Sequence, residues 1–136
     1  MKQYDPIAES RRYVENARKT LRENANLDPE ENRYQDDKYV KSAGSFLWSG
    51  VLISLEAVFH VKVGRKRVDI NSYRSVIRQR DLKLLGLVND GYEFIHLYMG
   101  YDGSLSKDLC DNGIRIANEI IDRCAVMLYG TPVPAA

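Results

Sequence analysis

Apolar residues recur along this chain at steps of three and four, and no segment alternates convincingly at steps of two. From Ile7 onward, Ser10, Val14, Ala17, Leu21 and Ala25 keep helical spacing, which places them on one stripe of an amphipathic helix. Asp5 and Pro6 supply the capping side chain and the proline favoured at the first helical position. Leu27 to Asp37 has no apolar period, holds Pro29, and carries Asp28, Glu30, Glu31, Asp36 and Asp37 against Arg33 alone. It reads as a solvated connection.

A second helix is predicted from Asp37, as cap, to about Val61. Its stripe of Ala43, Leu47, Gly50, Ser54 and Ala57 is rich in small residues, which lets a neighbouring helix approach closely, and Phe46, Trp48, Val51, Val58 and Phe59 widen its apolar surface. This predicts the central, most buried helix. Lys62 to Val68, with Gly64 inside it, turns the chain, and Asn71 or Ser72 can cap a short helix ending near Arg80. Asp81 caps the next helix. Along it Leu85, Val88, Tyr92, Ile95 and Met99 keep helical spacing, despite Gly86 and Gly91, which each lower helix propensity by about 1 kcal/mol. Gly100 to Gly103 is a turn, and Ser104 or Ser106 caps a last helix. Its stripe of Leu109, Gly113, Ala117, Ile120, Cys124 and Met127 stops at Gly130 and Pro132. The fold class is all-α: an up-and-down bundle of four long helices plus one short one, with residues 1–130 as a single domain and 131–136 as a C-terminal tail.

Composition leaves that picture standing. The chain has 136 residues, 44% of them hydrophobic and 29% charged, with a net charge of +1. Such a length supports one core, and such a balance makes no global case for a polyanionic partner. The first residues lack a signal-peptide core, and the charge-free run Ser42 to Leu55 falls short of the ~20 apolar residues that span a bilayer. A cytoplasmic protein without membrane contact is expected. Cys110 and Cys124 stand on one predicted helix at a rise of roughly 21 Å, too far apart for a disulfide, so they read as buried free thiols.

Charge is distributed unevenly. Between Lys62 and Lys83 eight basic residues face Asp69 and Asp81, a local net of +6, while the first connection is net negative. Arg65, Lys66, Arg67, Arg74 and Arg78 are therefore the candidate nucleic-acid contacts, acting by counterion release, and Tyr73 between Asn71 and Arg74 is a candidate base-stacking ring. A solvated basic face is the alternative.

Catalytic chemistry has few candidates. Glu93 and His96 form a Glu-x-x-His spacing, which in di-iron bundles needs a second copy and two further carboxylates. The other histidine, His60, follows Glu56 by four residues on a polar line with Lys38, Lys41, Ser45 and Ser49 that faces solvent or a subunit partner. No metal and no cofactor are expected. Asp108 and Asp111 beside Cys110 raise its pKa rather than activate it, Cys124 faces the core, and no Gly-rich phosphate cradle is present.

The small-residue helix AGSFLWSGVLISLEAVF, the order of elements, and a later helix in which His96 is followed by Tyr98 resemble the HEPN domains. These are helical bundles of prokaryotic toxin–antitoxin modules, nucleotidyltransferase partners and RNA-cleaving defence proteins. YEFIHLYMGYDG before a last amphipathic helix resembles small bacterial HEPN-like proteins in particular. The resemblance implies a homodimer, in which active members cleave RNA with an Arg, followed by a polar residue, that is separated from the histidine by four to six intervening residues. The corresponding positions here are Gly91, Asp90 and Asn89, none of which carries a guanidinium to stabilise charge on a phosphate. The expected function is a non-catalytic binding or assembly module, with a protein partner or a weak RNA contact. The alternative is a metal-independent ribonuclease that uses His96 with a basic residue borrowed from elsewhere, Arg78 or Arg80.

Overall fold

The computed structural model describes residues 3–60 and 70–130. Helix α1, Pro6–Asn24, starts where Asp5 accepts the backbone N–H groups of Ile7 and Ala8 at 3.1 and 3.3 Å. Its stripe of Ile7, Ser10, Val14, Ala17 and Leu21 is buried, and Ala25 just beyond it is too. Helix α2, Asp37–Phe59, begins one residue earlier than the sequence suggests, because Asp36 rather than Asp37 is the cap and accepts the N–H of Lys38. It stops at His60, whose φ of 55° is left-handed and closes the helix with an N–H donated to the Glu56 carbonyl.

Between α1 and α2 the chain is more ordered than a solvated connection. Strands β1, Leu27–Asp28, and β2, Arg33–Tyr34, pair antiparallel as a short hairpin. Asn26, just before β1, and Asn32, in the loop between the strands, take the positive φ values of 59° and 54° that let the chain turn there. Tyr34 is buried, and its N–H donates to the Leu105 carbonyl at 2.8 Å, which pins the hairpin to the segment leading into the last helix.

Helices α3, Ile70–Arg80, and α4, Leu82–Gly91, meet at Asp81. Its carboxylate accepts the Leu84 N–H at 3.0 Å and the Arg123 guanidinium at 2.6 Å, so one side chain both caps α4 and ties it to the last helix. Helix α4 continues without interruption into a π-helical segment, Tyr92–Tyr101, where the sequence suggests ordinary helix to Met99 followed by a turn. Apolar spacings of three and four suit either helix, so periodicity did not separate them. The chain turns only after Tyr101, where Gly103 takes a φ of 65°. Helix α5, Lys107–Tyr129, is capped by Ser106, which accepts the Leu109 N–H, and ends at Gly130 with a φ of 79°.

Among the described residues the protein is thus a mainly all-α bundle of five helices, the π-helical segment extending one of them. Helix α2 is central, packing against α1, the π-helical segment, α3 and α5. Glycine makes two of these approaches possible: a Cβ on Gly44 would lie 2.4 Å from the Gly100 nitrogen, and one on Gly50 would lie 2.9 Å from the Ser10 carbonyl oxygen. Met99 fills the layer between, its Sδ 2.7 Å from where a Cβ on Gly113 would stand. By length and composition α2 is apolar enough to cross a membrane, and half of its most apolar stretch is buried inside the bundle.

Candidate functional site

The π-helical segment holds the residues that the sequence singles out for chemistry. Its hydrogen bonds close at five residues rather than four, so positions three apart fall well short of one turn. Glu93 and His96, three apart, are accordingly splayed further round the axis than in an α-helix. Glu93 instead accepts the O–H of Tyr98, five residues on, at 2.9 Å, and this bond holds the tyrosine pKa above its ordinary value. Among the described residues no three His, Cys, Asp or Glu side chains gather where they could hold a metal ion.

His96 is half-buried in an aromatic cluster. Its ring stacks on Trp48 of α2, with centroids 5.4 Å apart and planes at 28°, and lies 5.2 Å from Tyr92. Trp48 and Tyr92 meet edge to face at 6.0 Å. Tyr92, expected in the core with Ile95 and Met99, is half-buried while those two are fully buried. The cluster has a cationic edge. The Arg74 guanidinium sits 5.2 Å over the Tyr92 ring, donates to the Asn89 side-chain oxygen at 2.8 Å, and reaches Asn71 at 3.2 Å. Arg74, Tyr92, His96 and Trp48 thus form one continuous patch, assembled from α3, the π-helical segment and α2.

Of the candidate nucleic-acid contacts, Arg65, Lys66 and Arg67 lie outside the described residues. Arg74 joins the aromatic patch, and Arg78 stands exposed on α3. Arg80 covers the Phe59 ring at 5.1 Å, and among the described residues the guanidinium seated on the patch is that of Arg74, which is neither of the two expected to assist His96. Tyr73 does not offer its ring to a base. It is fully buried, and burial pushes its pKa up to about 12. Position decides this: Tyr73 and Ile77 are four apart and share the inward face of α3.

His60 is exposed beyond the end of α2, and Glu56 is half-buried on its outer face. Both thiols are fully buried and free. Each has its pKa pushed up to about 12, in both cases mainly by burial, with Asp111 adding to the shift at Cys110 and Ser54 opposing it at Cys124. Burial and the raised pKa both work against thiolate formation. A separate depression at the hairpin end, lined by Arg22, Glu23, Asn26, Gln35, Asp36 and Tyr39, is mostly polar and lacks the apolar walls that hold a small molecule.

The chain is similar over most of its length to a solved protein of unknown function from Dyadobacter fermentans. The two share 35% sequence identity with a TM-score of 0.81, over 90% of this chain and 95% of that one. No curated protein matches it. The model of a domain of unknown function, DUF5618, matches residues 5–126, and with nearly the whole bundle inside that match the chain belongs to the DUF5618 family.

Proposed function

We propose that this chain is a HEPN-like, non-catalytic module that works by binding and assembly as a homodimer. The observation that carries the reading is the packing of His96 against Trp48 and Tyr92. A general base needs its nitrogen within hydrogen-bond reach of the substrate proton, beside a cation that receives the developing phosphate charge. Here the imidazole is a member of an aromatic cluster, and the nearby Arg74 is engaged by the Tyr92 ring and two amide oxygens. Such packing is worth about 0.5–1.5 kcal/mol beyond area burial, which supports a structural role for His96.

The same patch favours one alternative, metal-independent ribonuclease activity, because it sets a guanidinium one ring away from the imidazole. Incubating single-stranded RNA with the parent and with His96→Ala separates the two. The expected result is intact RNA in both samples, with the variant melting a few degrees lower. Cleavage by the parent that disappears in His96→Ala, and also in Arg74→Ala, would replace this reading with the nuclease.

A further inference from the structure

Helix α2 buries its apolar stripe in the bundle, while a mixed face carrying Lys38, Lys41, Ser45, Ser49 and Glu56 beside Leu52 and Ile53 points outward. That outer face is only partly covered. Lys38, Lys41 and Ser45 are exposed, and Ser42, Ser49, Leu52, Ile53 and Glu56 are only half-buried. The charges on this face are arranged by position. From Ser42 to Leu55 the helix carries none, Lys38 and Lys41 stand before that stretch, and Glu56 follows it. Lys41 reaches Asp37 at a loose 3.8 Å with its stem over Gly103, and among the described residues Glu56 makes no ion pair, standing within electrostatic reach of Tyr4 and Tyr73.

We propose that a second copy of this chain covers the outer face of α2 by antiparallel pairing of α2 with α2, about a two-fold axis at Ser49. The inference rests on the homodimer reading above and adds the face and the register. A two-fold pairing sets residues at equal distances on either side of its axis level with each other. With Ser49 on the axis, Ser45 lies level with the partner's Ile53 and Phe46 with its Leu52, while Ser42 lies level with Glu56. The small serines then receive the larger side chains, as close helix packing requires. Lys41 comes within about 1.5 Å of the level of the partner's Glu56, by helical rise, at both ends of the interface. A parallel pairing would instead set Lys against Lys and Glu against Glu.

Cysteine cross-linking tests the register directly, because both native thiols are fully buried. Under mild oxidation Ser49→Cys should give a disulfide-linked dimer, since a residue on a two-fold axis meets its own copy. Gln79→Cys, exposed on α3, should stay uncross-linked. Charge reversal reads the ends: Lys41→Glu and Glu56→Lys should each weaken the dimer by about tenfold or more through like-charge contacts, and the double variant should recover much of that loss. Light scattering and circular dichroism follow mass and folding. A parent dimer that neither cross-links through Ser49→Cys nor responds to either reversal would overturn the α2 face and leave the homodimer standing. A parent that stays monomeric at high micromolar concentration would overturn both.

Discussion

Gly44 and Gly86 are both helical glycines, and adding a methyl group to each should have opposite effects. At Gly44 the new Cβ would stand 2.4 Å from the Gly100 nitrogen and 2.7 Å from its Cα, both backbone atoms that cannot swing aside. At Gly86, exposed on α4, it would meet nothing within 4 Å. Gly44→Ala should therefore cost about 1–3 kcal/mol by overpacking, whereas Gly86→Ala should add about 0.4–1 kcal/mol by restricting the unfolded chain. Urea melts of the two variants check the pair, and a neutral Gly44→Ala would show that α2 and the π-helical segment are not in close backbone contact. Residues on regular stripes were legible in the sequence, Ile7 to Ala25 without exception, because burial follows spacing. Tyr73 was misassigned because polar neighbours in sequence suggested a ring facing solvent. Its four-residue spacing to Ile77 was the signal that pointed inward.

The joint between α3 and α4 depends on Asp81. The hydrogen bond from Arg123 holds its carboxyl below the usual carboxylate range, assisted by the Leu84 N–H it accepts as a cap. A folded pKa below the unfolded one means that the ionised form favours folding. This stability is present above the unfolded pKa of about 4 and is lost as pH falls through the lower folded value. Asp81→Asn keeps a capping oxygen but loses the charge, and Asp81→Ala loses both, with about 1 kcal/mol expected for the cap itself. The melting temperature of Asp81→Asn should thus trail the parent by a constant margin at neutral pH and converge on it below about pH 4. A margin that persists at low pH would mean the pair contributes nothing. The capping chemistry of Asp81 was legible, since Asp before a periodic run is a start signal. Its ion pair was not, because Arg123 lies 42 residues away in sequence. The hairpin between α1 and α2 was equally hidden: strands of two residues leave no period, and only Asn26 and Asn32, tolerant of left-handed backbone, marked its turns.

At the scale of the whole molecule the two thiols report on the common core. Cys110 lies near the start of α5, its Sγ 3.7 Å from the Ser104 carbonyl, whereas Cys124 sits deeper in the same helix beside Ser54 of α2. Both are fully buried with a pKa pushed up to about 12, so alkylation near neutral pH requires opening of the bundle. Leu47 of α2 and Ile120 of α5 are fully buried in the same core, and truncating either to Ala should cost about 2–5 kcal/mol. When opening and closing are fast relative to labelling, the labelling rate follows the open population. Each loss of about 1.4 kcal/mol then raises it about tenfold. Cys124 should accordingly label at least ten times faster in Leu47→Ala and Ile120→Ala than in the parent, by a factor that matches the stability lost in denaturant melts. Cys110, next to the loop that leads into α5, should label faster than Cys124 in the parent and respond less to either truncation, because local opening at that end bypasses the core. Mass spectrometry of alkylated peptides separates the two sites. Equal and rapid labelling of both cysteines in the parent would contradict the burial on which this core is built.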